Sequence, residues 1–375
     1  MLWCIISIFL IGFYSLLLLL YKYWYAKLTI VQPLSVFQPS VKFTFLIPAR
    51  NEEKNITACL QSMEYLNYPS DLFEILVIDD FSDDGTASNV GKFASVKLIQ
   101  LKHIISEKIN SYKKKAIEIG IQHAAGDYIV TTDADCIVPA EWLRNFAWMI
   151  EQQQCEFIAA PVAMKEESSF IKLFQNLDFI SLQGITAASV GAGFHSMCNG
   201  ANLCYSKKAF VNVDGFKDVD HIASGDDMLL MYKIQKKFPD KVYYCHTPQS
   251  IVLTNPVETL NEFFQQRIRW ASKADKYNDK RIFWVLLLVY LLNLYLLILF
   301  IAGFFQPEIW ILLVGALFIK TIVELFFLIP VAVFFKKQSL LIWFPVMQPF
   351  HIIYTVAAGW LGKFSNYSWK GRNVK

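Results

Sequence analysis

A chain of 375 residues that is 55% hydrophobic and only 18% charged is too apolar for an ordinary soluble protein, and it still carries a substantial polar middle. A formal charge of +3 on dispersed Lys and Arg speaks against a nucleic-acid binder. Seven cysteines without a CxxC pair or zinc-like spacing speak against a disulfide framework and read as reduced thiols in a cytosolic compartment.

Leu2 to Leu20 is an uncharged apolar run as long as a bilayer core, followed by Tyr21, Tyr23, Trp24 and Tyr25 interleaved with Lys22 and Lys27. A cleaved signal peptide would carry positive charge before this run and a small-residue cleavage site after it; neither is present, so residues 1–27 read as an anchor. From Lys42 to Tyr205, β-rich runs alternate with helical stretches, and strands are predicted over Phe43 to Ile47, Phe73 to Ile78, Val96 to Leu101 and Tyr128 to Thr132. This alternation predicts an α/β domain with a doubly wound, mainly parallel sheet and a ligand site outside the carboxyl ends of its strands. Three polar clusters fall at that edge: Pro48-Ala49-Arg50-Asn51, Asp79-Asp80 and Asp133-Ala134-Asp135.

The stretch from Pro48 to Glu52 and on to Glu53 offers backbone amides and Arg50 to a ligand, or else caps a helix. Asp79 and Asp80 could accept hydrogen bonds from a base or ribose, or simply open the turn Phe81-Ser82-Asp83-Asp84-Gly85-Thr86. Asp133 and Asp135, two apart after a strand, can point to one side in extended geometry and hold Mg2+ or Mn2+ together with substrate phosphate oxygens; the same pair also reads as a solvated turn. Gly225-Asp226-Asp227 precedes a helical pattern from Met228 to Lys237, so its carboxylates either complement a helix N-terminus or supply a general base. Gln265, Gln266, Arg267, Ile268, Arg269 and Trp270 form a polar-aromatic cluster that suits either a departing diphosphate and a sugar ring or an interfacial helix.

Three further spans fit Phe283 to Phe305, Ile309 to Phe335 and Leu340 to Leu361. Lys27 and Lys42 on one side, with Lys273, Lys276, Lys280 and Arg281 on the other, place the middle segment inside, and Lys336 and Lys337 agree. Lys363, Lys370, Arg372 and Lys375 do not agree, because four full spans put the tail outside. Pro345, Gln348, Pro349 and His351 interrupt the last run and leave a re-entrant or interfacial segment open. Within the membrane, Lys320 and Glu324 lie four apart and can pair on one helix face.

In order, Ile47-Pro48-Ala49-Arg50-Asn51-Glu52, Val77-Ile78-Asp79-Asp80, Asp133-Ala134-Asp135, Gly225-Asp226-Asp227 and Gln266-x-x-Arg269-Trp270 resemble family 2 glycosyltransferases over Lys42 to Trp270. The membrane layout is similar to that of hyaluronan and poly-N-acetylglucosamine synthases and ceramide glucosyltransferases. The resemblance implies a GT-A fold at residues 28–281, ending in an interfacial helix, with membrane segments at 1–27 and 282–362 and a basic tail at 363–375. It implies an inverting, metal-dependent transfer from a UDP-sugar to a lipid or glycan acceptor at the cytoplasmic face of the cell membrane. Asp80, with Asp79 as alternate, falls to the nucleobase; Asp133 and Asp135 to the ribose-diphosphate and metal; Asp227 to the base, with Asp226 in reserve, where many members carry Glu-Asp. Pro48, Ala49, Arg50, Glu52 and Ala134 fall to the donor site. Lys113 matches a family lysine near the nucleotide, although Glu118 stands where many members have asparagine. Cys198-Asn199-Gly200-Ala201-Asn202 resembles the loop lining acceptor and donor sugar, and Gln266, Arg269 and Trp270 match the signature that cradles diphosphate and acceptor. The rival expectation is a catalytically silent membrane scaffold that keeps the fold.

Overall fold

A computed structural model describes residues 1–105, 111–165, 168–219, 222, 225–273, 279–364, 367–369 and 372–374. Lys276, Lys370 and Lys375 lie outside these residues, as does the side chain of Arg372. The chain opens with α1 (Leu2–Ala26), then β1 (Phe43–Ala49), α2 (Ile56–Glu64), β2 (Phe73–Asp79), α3 (Thr86–Val90) and β3 (Val96–Gln100). There follow α4 (Tyr112–His123), β4 (Tyr128–Thr131), α5 (Trp142–Gln153), β5 (Phe157–Ala159), β6 (Val162–Met164), α6 (Phe170–Gly191), β7 (Leu203–Ser206) and α7 (Lys207–Asn212). Then come α8 (Asp226–Lys237), β8 (Val242–Tyr244), β9 (Val252–Thr254), α9 (Leu260–Ala271), α10 (Lys280–Ala302), α11 (Ile309–Phe334), α12 (Phe344–Phe364) and a hairpin of β10 (Tyr367–Trp369) and β11 (Arg372–Val374).

The main sheet runs in the order β3-β2-β1-β4-β7-β5-β8. Its first four strands are parallel, Phe43 facing Phe73 on one side and Tyr128 on the other, while β7 lies antiparallel to both β4 and β5. The chain steps outward from β1 to β3 and returns to the opposite side of β1 as β4. That reversal opens a crevice beyond the carboxyl ends of β1 and β4, where ligands bind in sheets of this kind. Successive β1 residues serve opposite faces: Leu46 joins Leu76, Ile78, Ala116 and Ile117, whereas Phe45 and Ile47 join Cys59, Leu60, Trp142 and Phe146. Burial of both faces explains why these strands read as unbroken apolar runs.

Four helical segments, Leu2–Ala26, Lys280–Ala302, Ile309–Phe334 and Gln338–Phe364, are long and apolar enough to cross a membrane. Ile8, Phe13, Phe300, Ile311 and Phe318 remain exposed on them, as lipid-facing side chains would be. The last begins as a 3-10 stretch, Gln338–Trp343, and α12 then runs on through Pro349, so the interruption expected there is a change of helix type at its start. Inside the bundle, Lys320 Nζ lies 2.7 Å from Glu324 Oε1 and donates to Gln348 Oε1 at 2.6 Å. Gln348 Nε2 donates to Glu324 Oε2 at 2.5 Å, and the Tyr14 hydroxyl donates to Glu324 as well. This network ties α1, α11 and α12 together, so the expected pair is part of a larger polar staple.

The helical spans meet the sheet domain through α6, which packs against α1 and α11. At Gly184 a Cβ would come within 2.6 Å of Val331 Cγ2, so only glycine permits this approach. Lys337, between α11 and α12, donates to the Met164 carbonyl at 2.9 Å and to Asn176 Oδ1 at 2.5 Å. Breaking one partner of a buried ion pair costs about 3–5 kcal/mol, because the other charge is left uncompensated. Lys320→Met is therefore expected to lower the thermal midpoint of the purified chain in detergent by several degrees, and Lys320→Met with Glu324→Leu to recover much of that loss.

Candidate active site

The loops after β1 and β2 are laced together at the crevice. Asp80 N–H donates to the Ala49 carbonyl at 2.8 Å, and Arg50 Nη1 donates to the carbonyls of Asp80 and Phe81 at 2.8 and 3.1 Å. Asn51 and Phe81 both take left-handed backbone, with φ of 53° and 54°. Asn51 N–H donates to Ser82 Oγ at 3.0 Å, and Asn51 Oδ1 accepts the Asp83 N–H at 3.1 Å. Glu52 N–H donates to Thr86 Oγ1 at 2.7 Å. Much of the donor capacity expected for a ligand thus holds one loop against the other. Pro48 is half-buried beside them at the end of β1. Fully buried Asp79 holds the turn, accepting the Ser82 N–H at 3.2 Å and Gln100 Nε2 at 3.4 Å, while Asp80 follows it at the strand end.

Asp133 and Asp135 are not extended. β4 ends at Thr131, and the Cys136 N–H donates to the Asp133 carbonyl at 3.1 Å, so Asp133-Ala134-Asp135 forms a turn with Ala134 buried. The turn aims its two acids at different partners: Lys113 Nζ of α4 sits 2.8 Å from Asp133 Oδ1, and Thr254 Oγ1 of β9 lies 3.3 Å from Asp135 Oδ2. The bridge between Ile137 and Leu253 sets that second contact. Glu118 of α4 pairs with Lys115 at 3.3 Å instead. Among the described residues no three His, Cys, Asp or Glu side chains gather as a metal cage. Two hard carboxylates fit Mg2+ or Mn2+ held jointly with a diphosphate, since such ions take only one or two protein carboxylates there.

Asp226 and Asp227 are the first two residues of α8, after Gly225, whose φ of 78° makes the turn into the helix. The helix-terminus and base readings thus converge on one residue. Asp227 Oδ2 accepts the Gly200 N–H at 3.0 Å, and Oδ1 accepts its neighbour Met228's N–H at 2.8 Å. Burial and the adjacent Asp226 push the Asp227 carboxyl above its ordinary value, against the pull of Lys273, Lys113 and the Met228 amide. A Cβ on Gly200 would lie 3.4 Å from Lys113 Nζ and 3.6 Å from Asp227 Oδ2, so the lysine that grips Asp133 and the carboxylate of Asp227 meet over this glycine. Burial lowers the Lys113 ammonium, but Asp133, Asp226 and Asp227 outweigh it and hold the group firmly charged.

Asn202 anchors the loop that presents Gly200. Its Oδ1 accepts Trp142 Nε1 at 2.8 Å, and its Nδ2 donates to the carbonyls of Pro161 and Ser250 at 2.7 and 2.8 Å. Asn199 Oδ1 accepts the Ala201 N–H at 3.0 Å within the same loop. Upstream, the Ser196 N–H donates at 3.1 Å to Asp279, which caps α10. On α9, Gln266 Oε1 accepts Arg267 Nη1 at 2.8 Å, and the Arg267 guanidinium lies 4.2 Å from the Trp270 ring centre. Arg267 also forms a buried pair with Asp178 of α6 at 2.6 Å, and the Tyr354 hydroxyl donates to the other Asp178 oxygen at 2.5 Å. Neither Asp178 nor Lys273 was assigned to the site by sequence. Burial pulls the Lys273 ammonium down to about 8, with Arg269 and Lys113 adding to the fall and Asp227 and Asp226 opposing it. Its position four residues after Arg269 on a helical pattern was the available signal.

Residues 44–210 match the family described as glycosyl transferase family 2, and residues 128–360 match glycosyl transferase family group 2. The poly-beta-1,6-N-acetyl-D-glucosamine synthase of Staphylococcus epidermidis is 26% identical over 259 residues, which is 68% of this chain and 59% of that protein. Its counterpart in Staphylococcus aureus strain COL is 28% identical over 234 residues, 61% of this chain and 53% of the relative, so the chain spans little more than half the length of these relatives. Among solved structures, the mannosyltransferase PcManGT from Pyrobaculum calidifontis, in complex with GDP-Man and Mn2+, shares the fold at a TM-score of 0.60 and 20% identity, covering 93% of this chain and 97% of that one.

Each buried polar group left without its partner costs about 1–3 kcal/mol. Asn202→Ala strands the Trp142 N–H and the Ser250 carbonyl and takes one of two donors from the Pro161 carbonyl, and it is expected to destabilise the chain by about 2–3 kcal/mol on that basis, read as a lowered midpoint of thermal unfolding. Asn199→Ala, which removes the Ala201 N–H contact within its own loop, is expected to move the midpoint far less.

Proposed function

We propose, from the premise that the chain belongs to glycosyl transferase family group 2, that it moves a sugar from a UDP-linked donor to a hydroxyl of a membrane-associated acceptor, with inversion at the anomeric carbon. The observation that carries this reading is the junction at Gly200, where the Asp133–Lys113 pair meets the Asp227 carboxylate. A donor-side cluster and a poised base brought together at one glycine are the arrangement that a single displacement requires. The poly-N-acetylglucosamine-making relatives favour an N-acetylhexosamine as the sugar.

In this scheme Asp80 receives the base, and Pro48, Ala49, Arg50, Glu52 and Ala134 shape the nucleoside side of the crevice. Asp133 and Asp135 would hold Mg2+ or Mn2+, which supplies charge neutralisation for the diphosphate. Lys113 and Arg269, with Lys273 while it is protonated, add positive charge where the leaving group develops its own negative charge. Gln266 and Trp270 bound the acceptor end, with Asn199 and Gly200 in the loop that lines acceptor and donor sugar. The acceptor oxygen attacks the anomeric carbon and forms the new C–O bond. The bond from that carbon to the diphosphate oxygen breaks, its electron pair leaves with UDP, and the hydroxyl proton passes to Asp227. Lys27, Lys42, Lys273, Lys280, Arg281, Lys336 and Lys337 support a catalytic domain on the cytoplasmic side of the cell membrane.

Removing a general base lowers turnover by about 10²–10⁴-fold. Asp227→Asn is expected to lose transfer within that range while binding UDP with little change, measured by product formation and calorimetric titration; full turnover in the variant would sink the assignment. The pH profile of kcat/KM is expected to be a bell. Its acid limb lies above the ordinary carboxylate range, because a raised Asp227 must be deprotonated to accept a proton. Its alkaline limb lies near 8, where Lys273 loses its charge. Lys273→Arg keeps a cation at all accessible pH and should carry the alkaline limb upward; an unmoved limb would remove Lys273 from the mechanism.

A further inference from the structure

A cavity of about 730 Å³ lies between the sheet domain and the helical spans. Asn199, Asp227, Trp270 and Lys273 line its site end. Its walls come from the membrane-spanning helices, with Leu17 and Leu18 of α1, Leu286 and Val289 of α10, Leu328 of α11 and Met347 of α12 among them. The cavity is therefore continuous with the position of the assigned base and reaches into the apolar bundle. Its volume falls in the range of small-molecule sites, about 300–1,000 Å³, whose linings are mainly apolar with a few placed polar groups.

We infer that this cavity holds the acceptor, and that the acceptor is a membrane lipid whose headgroup presents a neutral hydroxyl to Asp227 while its chain lies among the walls of α1, α10, α11 and α12. The inference deepens the proposed function and rests on Asp227 as base. Three observations select this occupant. First, the walls within the bundle are mainly aliphatic and aromatic, and the two acids that line them are engaged with protein, Glu324 with Tyr14, Lys320 and Gln348, and Asp178 with Arg267 and Tyr354, so they offer the hydroxyls of a glycan chain no free carboxylate. A polysaccharide threading this space would exchange water for hydrocarbon at each hydroxyl. Second, a phosphate-headed lipid is already an anionic nucleophile, needs no base, and would meet two carboxylates, Asp226 and Asp227, at the head of α8. An alcohol is the acceptor that gains from a carboxylate in that place. Third, the site end and the bundle are physically joined, since the loop carrying Asn199 and Gly200 is tied through Ser196 to the cap of α10.

The test uses the full chain reconstituted in liposomes of membrane lipid extract, with a labelled donor chosen by UDP release. The expected result is label in the organic phase as a glycolipid stable to mild acid. Label in a water-soluble polymer, or in a lipid product that mild acid hydrolyses as a sugar phosphate, would overturn the inference while leaving the glycosyltransferase reading intact; no UDP release from any donor would remove both. Val289→Trp and Leu17→Trp fill the cavity from two helices away from the reacting atoms. Each is expected to cut lipid transfer at least tenfold while slow UDP release to water persists, which also reports that the sheet domain is folded. Wild-type lipid transfer in both variants would show that the acceptor lies elsewhere, and the wild-type product partition decides the chemistry of the acceptor however the variants fold.

Discussion

Concentrated negative charge is the constraint from which the rest of the site follows. Asp133, Asp135, Asp226 and Asp227 are brought to one edge of a sheet that is buried on both faces, and carboxylates gathered in such a place repel one another unless cations are interleaved. Lys113 is the cation that touches most of them: it bonds Asp133 and feels Asp226 and Asp227 strongly enough to stay charged despite burial. Lys273 feels Asp227 and Asp226 too, but burial above all, with Arg269 and Lys113 adding to it, leaves it near its titration point. The two lysines thus split into one that is structurally committed and one whose charge can respond to what the site contains.

The parallel strands were legible because burial on both faces writes uninterrupted apolar runs into β1, β2 and β4, each closed by acids or Pro-Ala-Arg. The strand that runs antiparallel to its neighbours in the main sheet, β7, was not, since Leu203–Ser206 is short and its direction is set by pairing with both β4 and β5. The acid pairs were legible as chemistry but not as geometry. Asp133 and Asp135 were expected side by side on extended backbone, and the turn closed by the Cys136 amide separates their partners. Asp80 was expected at the nucleobase with Asp79 as alternate, and it is Asp79 that the turn takes up, through the Ser82 N–H and Gln100 Nε2. Asp178 carried no signal at all, because its role depends on α9 and α12 arriving from more than eighty residues away.

A comparable logic holds the sheet domain to the helical spans. The joint is made with few charges, and each is satisfied more than once: Lys337 reaches the Met164 carbonyl and Asn176, and Asp178 takes both Arg267 and the Tyr354 hydroxyl. Buried polar groups of this kind add little net stability over apolar packing, but they penalise every misregistered docking, in which one partner would be stranded. A bundle that contributes walls to a site needs that exactness of register more than it needs extra adhesion.

Helix α9 is where the two halves become one device. Thr259 and Glu262 fix its start with a reciprocal cap, at 3.2 and 3.1 Å. From there helical spacing sends Phe263, Arg267 and Trp270 along one stripe and Gln266, Arg269 and, a turn further on, Lys273 along the next. Arg267 is consumed by Asp178 and by stacking on Trp270, so the arginine inside the signature is the one that anchors the helix to α6, while Arg269 stands close enough to Lys273 to lower its affinity for a proton. Trp270 is covered by Arg267 and also lines the cavity beside Asp227. A sequence signature that reads as one binding motif thus divides between a stripe that anchors α9 to α6 and a second stripe that leads to Lys273, and the rigidity of the first sets the position of the second. Any displacement of the bundle that moves Asp178 would be felt at Trp270 and Lys273 before it reached the sheet.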